Sequence, residues 1–448
     1  MRLDSHTHIN ARAPLARLRA SVFCVLFLLC AAAPHARAQP SDFERKLGRQ
    51  MLDIIKEDVE KNYYDPALGG MNIETHFNAA GEKIKGAATV TEIFNIISSA
   101  VTDLDDSHTF FIPPMMTLRV EYGWQMQMIG DKCYVVAVRP GSDAERKGLK
   151  VGDRVLNVEG FEPTRGGLWK MKYFYRVQPR VGMRAFVQTP GDKPRLLDLL
   201  AKIEQDPRAL STSRYDFEIN TIRDAESESR VNAHRYIQSR ETFIWKMPAF
   251  DLEDSKIDEM MGKVKKHKAL ILDLRGNGGG YETTLLRLVG HFFDRDVKIG
   301  DIKSRKESKP LVAKTRGANA FKGQLIVLVD SESGSAAEIF ARVVQIEKRG
   351  TVIGDQSAGA VMRSRFFRHE SGTTRVIAYG TFIAISDVLM TDGKSLERVG
   401  VSPDELLLPT AQDLAAARDP VLSRAAAIVG VELSPDVAGK MFPVEWRK

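Results

Sequence analysis

Leu325-Ile-Val-Leu-Val-Asp-Ser-Glu-Ser-Gly-Ser-Ala-Ala-Glu-Ile-Phe340 decides how this chain folds. Its first five residues are apolar and rich in β-branched side chains, the pattern of a strand buried on both faces. A tight turn of small and acidic residues follows, and then an apolar helix through Ala337–Val344. The turn places Ser335 at the helix N-terminus, where unpaired N–H groups and the helix dipole favour developing negative charge. The Ala336 N–H then lies beside the serine, where an oxyanion would need a donor. Taken alone, a serine at a helix start is more often a cap than a nucleophile.

A second unit of the same kind precedes it. Ala269-Leu-Ile-Leu-Asp-Leu274 reads as a buried strand, Arg275-Gly-Asn-Gly-Gly-Gly280 as a close-approach turn, and Thr284–Phe293 as an apolar helix. Alternating strands and helices predict an α/β layer. The glycine loop lacks the Lys-Ser/Thr ending of a nucleotide-binding loop, which disfavours ATP.

Working outward, Ser41 to about Leu104 is helical in pattern. Ser41 and Glu44 have capping-box spacing, Phe43, Leu47, Met51, Ile54 and Ile55 recur at helical intervals, and a further helix runs from Ile93 to Val101. Asp103–Thr109 has no helical period and reads as a loop. From about Leu118 to Ile203 the texture changes to short strands with turns. The run Val135–Gly160, with its Pro140-Gly141 turn, short helix closed by Gly148 and Gly-Asp-Arg-Val-Leu strand, resembles a PDZ domain. Such domains bind peptide C-termini by strand addition. The resemblance implies that Tyr122, Gly123, Trp124, Gln125 and Met126 form the carboxylate loop, with Gln125 standing where relatives carry a second glycine.

The first 38 residues resemble an export signal: a basic stretch ending at Arg19, an apolar run over Ser21–Ala33, and Ala36-Arg37-Ala38 as the cleavage pattern. The apolar run is shorter than the ~18–20 residues of a membrane span, and no second one follows, so an exported, periplasmic or secreted protein without a stable membrane span is expected. Five arginines against Asp4 give this leader four of the +7 formal charges. The remaining +3 makes no case for nucleic acid. After cleavage only Cys133 is left of the three cysteines. It lies in an apolar strand pattern and reads as a packing residue.

The segments around Ser335 and Gly276–Gly280 together resemble the two signature blocks of S41 (C-terminal processing) peptidases. Membership would imply a crotonase/ClpP-like α/β core over residues 206–430, an inserted PDZ-like domain over 118–203, an N-terminal helical region over 39–112 and a tail over 431–448. It would also make Gly278 or Gly279 the second oxyanion donor beside Ala336. Many S41 enzymes use a Ser–Lys dyad, with the lysine in a block equivalent to Gly354–Ala360; Ala360 occupies its place here. The tricorn-core branch uses Ser–His–Glu instead. Asp106-Ser-His-Thr109 and Glu397-Arg-Val-Gly-Val-Ser-Pro-Asp404 match that branch's blocks. The resemblance therefore implies Ser335 as nucleophile, His108 as base, Glu397 as its orienting carboxylate and Ser107 as an auxiliary serine. Asp392, Asp404 and Glu405 are close enough in sequence to rival Glu397. The Asp4–Thr7 copy of the histidine motif lies within the leader and reads as coincidence.

The expected activity is endoproteolysis of peptides or unfolded proteins, lost as pH falls through the ordinary histidine range of about 6–7. No cofactor is needed, and no metal motif such as His-Glu-x-x-His is present. Oligomeric state is left open. A catalytically silent carrier on the same core is the rival reading. An esterase-like hydrolase lacks the Gly-x-Ser-x-Gly elbow.

Overall fold

A computed structural model describes residues 39–114, 118–205, 233–371 and 377–446. The export signal expected at residues 1–38 lies outside the described residues, as does the polar stretch 206–232. No helix among the described residues is long and apolar enough to cross a membrane.

The α/β layer is a six-stranded sheet in the order Glu405–Leu406, Thr351–Gly354, Gln324–Val329, Ala269–Asp273, Thr242–Lys246, Arg235–Gln238. Its strands run parallel except the last, which is antiparallel. The reason for the all-apolar strand Leu325–Val329 is visible in its packing. Leu325, Val327 and Val329 face a core shared with the helices Asp254–Val264, Glu282–Gly290 and Ala336–Ile346. Ile326 and Leu328 point the other way, into a second core closed by Pro420–Ile428 and Pro435–Met441. Residues 431–448 were expected as a tail. Instead Ala438 is buried and Val431, Leu433, Met441 and Phe442 pack on this lower face, because the parallel sheet needs cover on both sides.

Above the layer lies an antiparallel sheet in which Phe110–Ile112, Ile377–Met390, Val297–Ser304 and Ser308–Ala313 are neighbours, with Met362–Ser371 paired to Ile377–Met390. The N-terminal helices Asp42–Asn62, Ile73–Lys85 and Val90–Thr102 pack onto Met362, Tyr379, Ile383 and Ala384 of that sheet. The Ser41–Glu44 capping box forms as read. The 39–112 region is therefore continuous with the core, contributing both a strand and a shared apolar cluster.

Residues 124–200 form a five-stranded antiparallel sheet with the helices Asp143–Arg146 and Leu168–Val177. Trp124, Met126, Cys133, Val135, Val155, Ala185 and Leu199 make its own core. Cys133 is a buried free thiol whose pKa burial pushes up to about 12, which makes it a packing residue.

Candidate active site

Ser335 stands at the C-terminal end of the parallel sheet, half-buried, with φ 51° and ψ −117°. A positive φ at a non-glycine residue costs roughly 1–3 kcal/mol and persists only where the surroundings impose it. Ordinary N-caps of this chain, such as Ser41, Thr89 and Ser434, are extended instead. The serine is thus held in a conformation that capping does not need.

What imposes it is close packing of backbone. A side chain on Gly279 would bring its Cβ within 2.6 Å of Ser335 Cβ and 3.1 Å of Ser335 Oγ, and Gly279 itself has φ 110°. Glycine there lets the loop Gly276–Gly280 approach the hydroxyl without a side chain between them. Of the two candidate loop donors, the Gly279 N–H already donates to Asn277 Oδ1 at 2.8 Å. The Gly278 and Ala336 N–H groups have no hydrogen-bond acceptor among the described residues. Of the two expected loop donors, Gly278 is therefore the one whose N–H is left without an acceptor.

The histidine loop comes in from the antiparallel sheet. Its Thr109 is buried and accepts a hydrogen bond from Ala384 N–H at 3.0 Å, which pins the loop to the strand Ile377–Met390. Asp106 is also buried, and its Oδ1 accepts from His108 N–H at 2.7 Å. Burial pushes the His108 pKa below its ordinary value, and the nearby Asp106 charge partly opposes that.

Glu397 and His108 do not touch directly. Ser107 Oγ donates to Glu397 Oε2 at 2.8 Å and lies 2.7 Å from His108 Nδ1. Glu397 is fixed by two backbone donors as well, Ser107 N–H and Val361 N–H, each at 2.8 Å. Burial raises the Glu397 pKa, and these bonds to the charged form hold it back. Its rivals are committed elsewhere: Asp392 to Arg342, Asp404 to Gln345 and Val352 N–H, Glu405 to Arg424.

Ser335 and this trio are joined through Ala360 and Val361. Ser335 N–H donates to Ala360 O at 2.8 Å, and the next amide, Val361 N–H, holds Glu397. No hydrogen bond joins Ser335 Oγ to the His108 ring among the described residues. Such contacts often tighten only when substrate is bound. No group of three or more metal-binding side chains is found among the described residues.

One residue here escaped the sequence reading. Glu338 is buried, and its carboxylate accepts from Ser335 N–H, Ala360 N–H, Gly359 N–H and Ser357 Oγ. The signal was present: Ser335 and Glu338 have the same Ser-x-x-Glu spacing that identified the Ser41 cap.

In the 118–203 region, Gly123 has φ 73° and its carbonyl accepts from Arg139 N–H at 2.8 Å. Trp124 and Met126 point into that region's own core, and Gln125 is buried at a register shift in the strand. The Tyr122 hydroxyl donates to Arg180 O at 3.0 Å. Trp124–Ile129 is an edge strand of its sheet. Part of that strand faces the turn before Ser335. Ser331 Oγ donates to Met128 O at 2.5 Å, and Gln127 Nε2 donates to Asp330 Oδ2 at 2.7 Å.

Residues 244–407 match the model of Peptidase family S41. The chain is 27% identical over 296 residues to the tail-specific protease of Haemophilus influenzae, covering 61% of this chain and 40% of that protein. It is 21% identical over 337 residues to the carboxyl-terminal-processing protease of Picosynechococcus, covering 71% of this chain and 74% of that one. The match thus spans less than half the length of the Haemophilus protease. Among solved structures, mature CPAF complexed with lactacystin superposes with a TM-score of 0.62 at 13% identity, covering 84% of this chain and 96% of that one. The photosystem II D1 C-terminal processing protease gives 0.52 at 16% identity, over 87% and 99%. These likenesses show a shared mixed α/β fold. The segment 244–407, which carries most of the parallel sheet, the glycine loop and Ser335, is thus similar in sequence to Peptidase family S41, and the relatives it resembles are proteases.

Proposed function

We propose that the chain is an exported serine endopeptidase of the Ser–His–Glu kind, acting on peptides or unfolded proteins. The observation that carries this reading is the strained Ser335, abutted by the loop Gly276–Gly280, followed by the acceptor-free Ala336 N–H and linked through Ala360–Val361 to the Glu397–Ser107–His108 trio.

The chemistry follows from the hydrogen bonds. Ser107 has one hydroxyl proton, which goes to Glu397. Its oxygen then accepts from His108 Nδ1–H, leaving Nε2 as the basic nitrogen. With a substrate bound, Nε2 takes the Ser335 proton as Oγ attacks the scissile carbonyl. The negative oxygen of the tetrahedral intermediate is met by the Ala336 and Gly278 N–H groups. The imidazolium gives its proton to the leaving amine, and water then resolves the acyl-enzyme by the same steps. Ala360, in place of a lysine, is consistent with a histidine base. In this reading residues 118–203 are a PDZ-like substrate-binding domain, and residues 1–38 are removed on export.

The missing Ser335–His108 hydrogen bond is the one feature that would suit a silent carrier instead. Incubating the protein lacking residues 1–38 with an unfolded protein, and mapping fragments by mass spectrometry, separates the two. Cleavage supports the peptidase, and an intact substrate with wild-type fold the carrier.

A further inference from the structure

Glu338 is 0% exposed, yet no cation is among its hydrogen-bond partners. A carboxylate offers about four acceptor positions, and all four are taken by neutral donors. Oε1 accepts from Ser357 Oγ at 2.5 Å and Gly359 N–H at 2.7 Å. Oε2 accepts from Ala360 N–H at 2.8 Å and Ser335 N–H at 3.0 Å. A capping box asks only for the last of these. The other three reach across to a segment more than eighteen residues further along the chain.

That segment is the one that joins nucleophile to base. Ala360 O accepts from Ser335 N–H, and Val361 N–H anchors Glu397. Ser357 Oγ in turn accepts from Val401 N–H at 2.6 Å, beside the Glu397 loop. One carboxylate therefore holds the strained Ser335 backbone, the 357–360 segment and, through it, the mount of Glu397. We propose that Glu338 is a positioning residue that sets where Ser335 stands relative to the His108 ring, by clamping residues 357–361 to the nucleophile turn. The inference rests on the peptidase reading of this site. Glu338 itself meets no reacting atom.

Burial raises the Glu338 carboxyl to about 7, so its protonation changes near neutrality. The groups facing it from its own helix and from the 357–360 segment are Ser335 N–H, Ser357 Oγ, Gly359 N–H and Ala360 N–H, none of them charged. Ser357 Oγ is the one partner that can reverse. When Glu338 gains a proton, its O–H can donate to Ser357 Oγ while the three amides stay bonded. The clamp then survives protonation, provided Ser357 is present.

The test compares the full-length wild type with Glu338→Gln and Ser357→Ala on a cleavable peptide, with rates expressed per folded enzyme and folding checked by thermal unfolding. Even with Ser357 Oγ reversed to accept, the side-chain amide introduced by Glu338→Gln would turn a donor toward at least one backbone N–H, so kcat should fall at least about tenfold with KM within about twofold. In Ser357→Ala, a proton on Glu338 has no hydroxyl to turn to and would displace one of the amides, so the clamp should fail on protonation and the acid limb of kcat should move up from its wild-type position. Glu338→Gln with wild-type kcat per folded enzyme, even at a lowered Tm, overturns the proposal. If Glu338→Gln does not fold, an unchanged acid limb in Ser357→Ala overturns it. A folded wild type that cleaves nothing sinks the peptidase reading, and this inference with it.

Discussion

Ser107 Oγ lies between His108 Nδ1, 2.7 Å away, and Glu397 Oε2, 2.8 Å away. The two outer side chains meet through a serine hydroxyl 290 positions before the glutamate. One proton cannot serve both contacts, so the direction of donation fixes the histidine tautomer. Glu397 keeps two backbone donors whatever happens to Ser107.

If this relay orients the base, Ser107→Ala should lower kcat by roughly 10²-fold, the low end of acid–base effects, with little change in Tm. Glu397→Gln should cost a similar amount. The double variant should lose little more than either single one, because groups acting as a unit are not additive. Steady-state kinetics on the three variants checks this. Additive losses would mean that Ser107 and Glu397 act separately.

The pH profile reports the environment of His108. Burial favours its neutral form, so its pKa lies below the ordinary histidine value, with Asp106 limiting the fall. A base works when unprotonated, so activity should persist below the 6–7 range that the sequence suggested and fail only at lower pH. Asp106→Asn removes the charge that favours the imidazolium and should move the acid limb of kcat/KM lower still. A limb that moves up, or stays, would place another group at the base.

Gly279→Ala should be among the most damaging single changes in the site. Its Cβ would lie 2.6 Å from Ser335 Cβ at a backbone φ of 110°. Relief requires the glycine loop or the serine turn to shift, at a cost of roughly 1–3 kcal/mol in stability. Labelling of Ser335 by a fluorophosphonate should then slow by about tenfold or more, alongside a lower Tm. Wild-type labelling would mean that the loop does not abut the nucleophile.

Much of this was legible beforehand, and the rest was not, for physical reasons. The strand–turn–helix around Ser335 is local, and buried parallel strands announce themselves as continuous apolar runs. His108 and Glu397 came from motif resemblance. So did Ser107 as an auxiliary serine, but its bridging position between the two, across 290 positions, is a contact that no local pattern encodes. Strands such as Val297–Ser304 and Met362–Ser371 mix charged and apolar residues because one face is partly exposed, so their period is weak. The last helix, Pro435–Met441, is short, and its burial depends on a sheet face built from residues elsewhere.

For the 118–203 region, a free peptide C-terminus held by backbone N–H groups would make charge-assisted bonds. One peptide with a free or an amidated C-terminus, below saturation, should differ about tenfold in kcat/KM. Equal rates would show that the region does not read carboxylates. The Ser331–Met128 contact at the same edge strand gives the control, since Ser331→Ala frees that carbonyl and should not weaken capture.

The central claim is that Ser335 is the attacking group. It is tested most directly by the initial rate of peptide hydrolysis for wild type and Ser335→Ala, each shown folded by its thermal transition. The account predicts a loss on the order of 10⁴-fold or more with an unchanged fold. A Ser335→Ala protein that retains activity within about tenfold of wild type would contradict it.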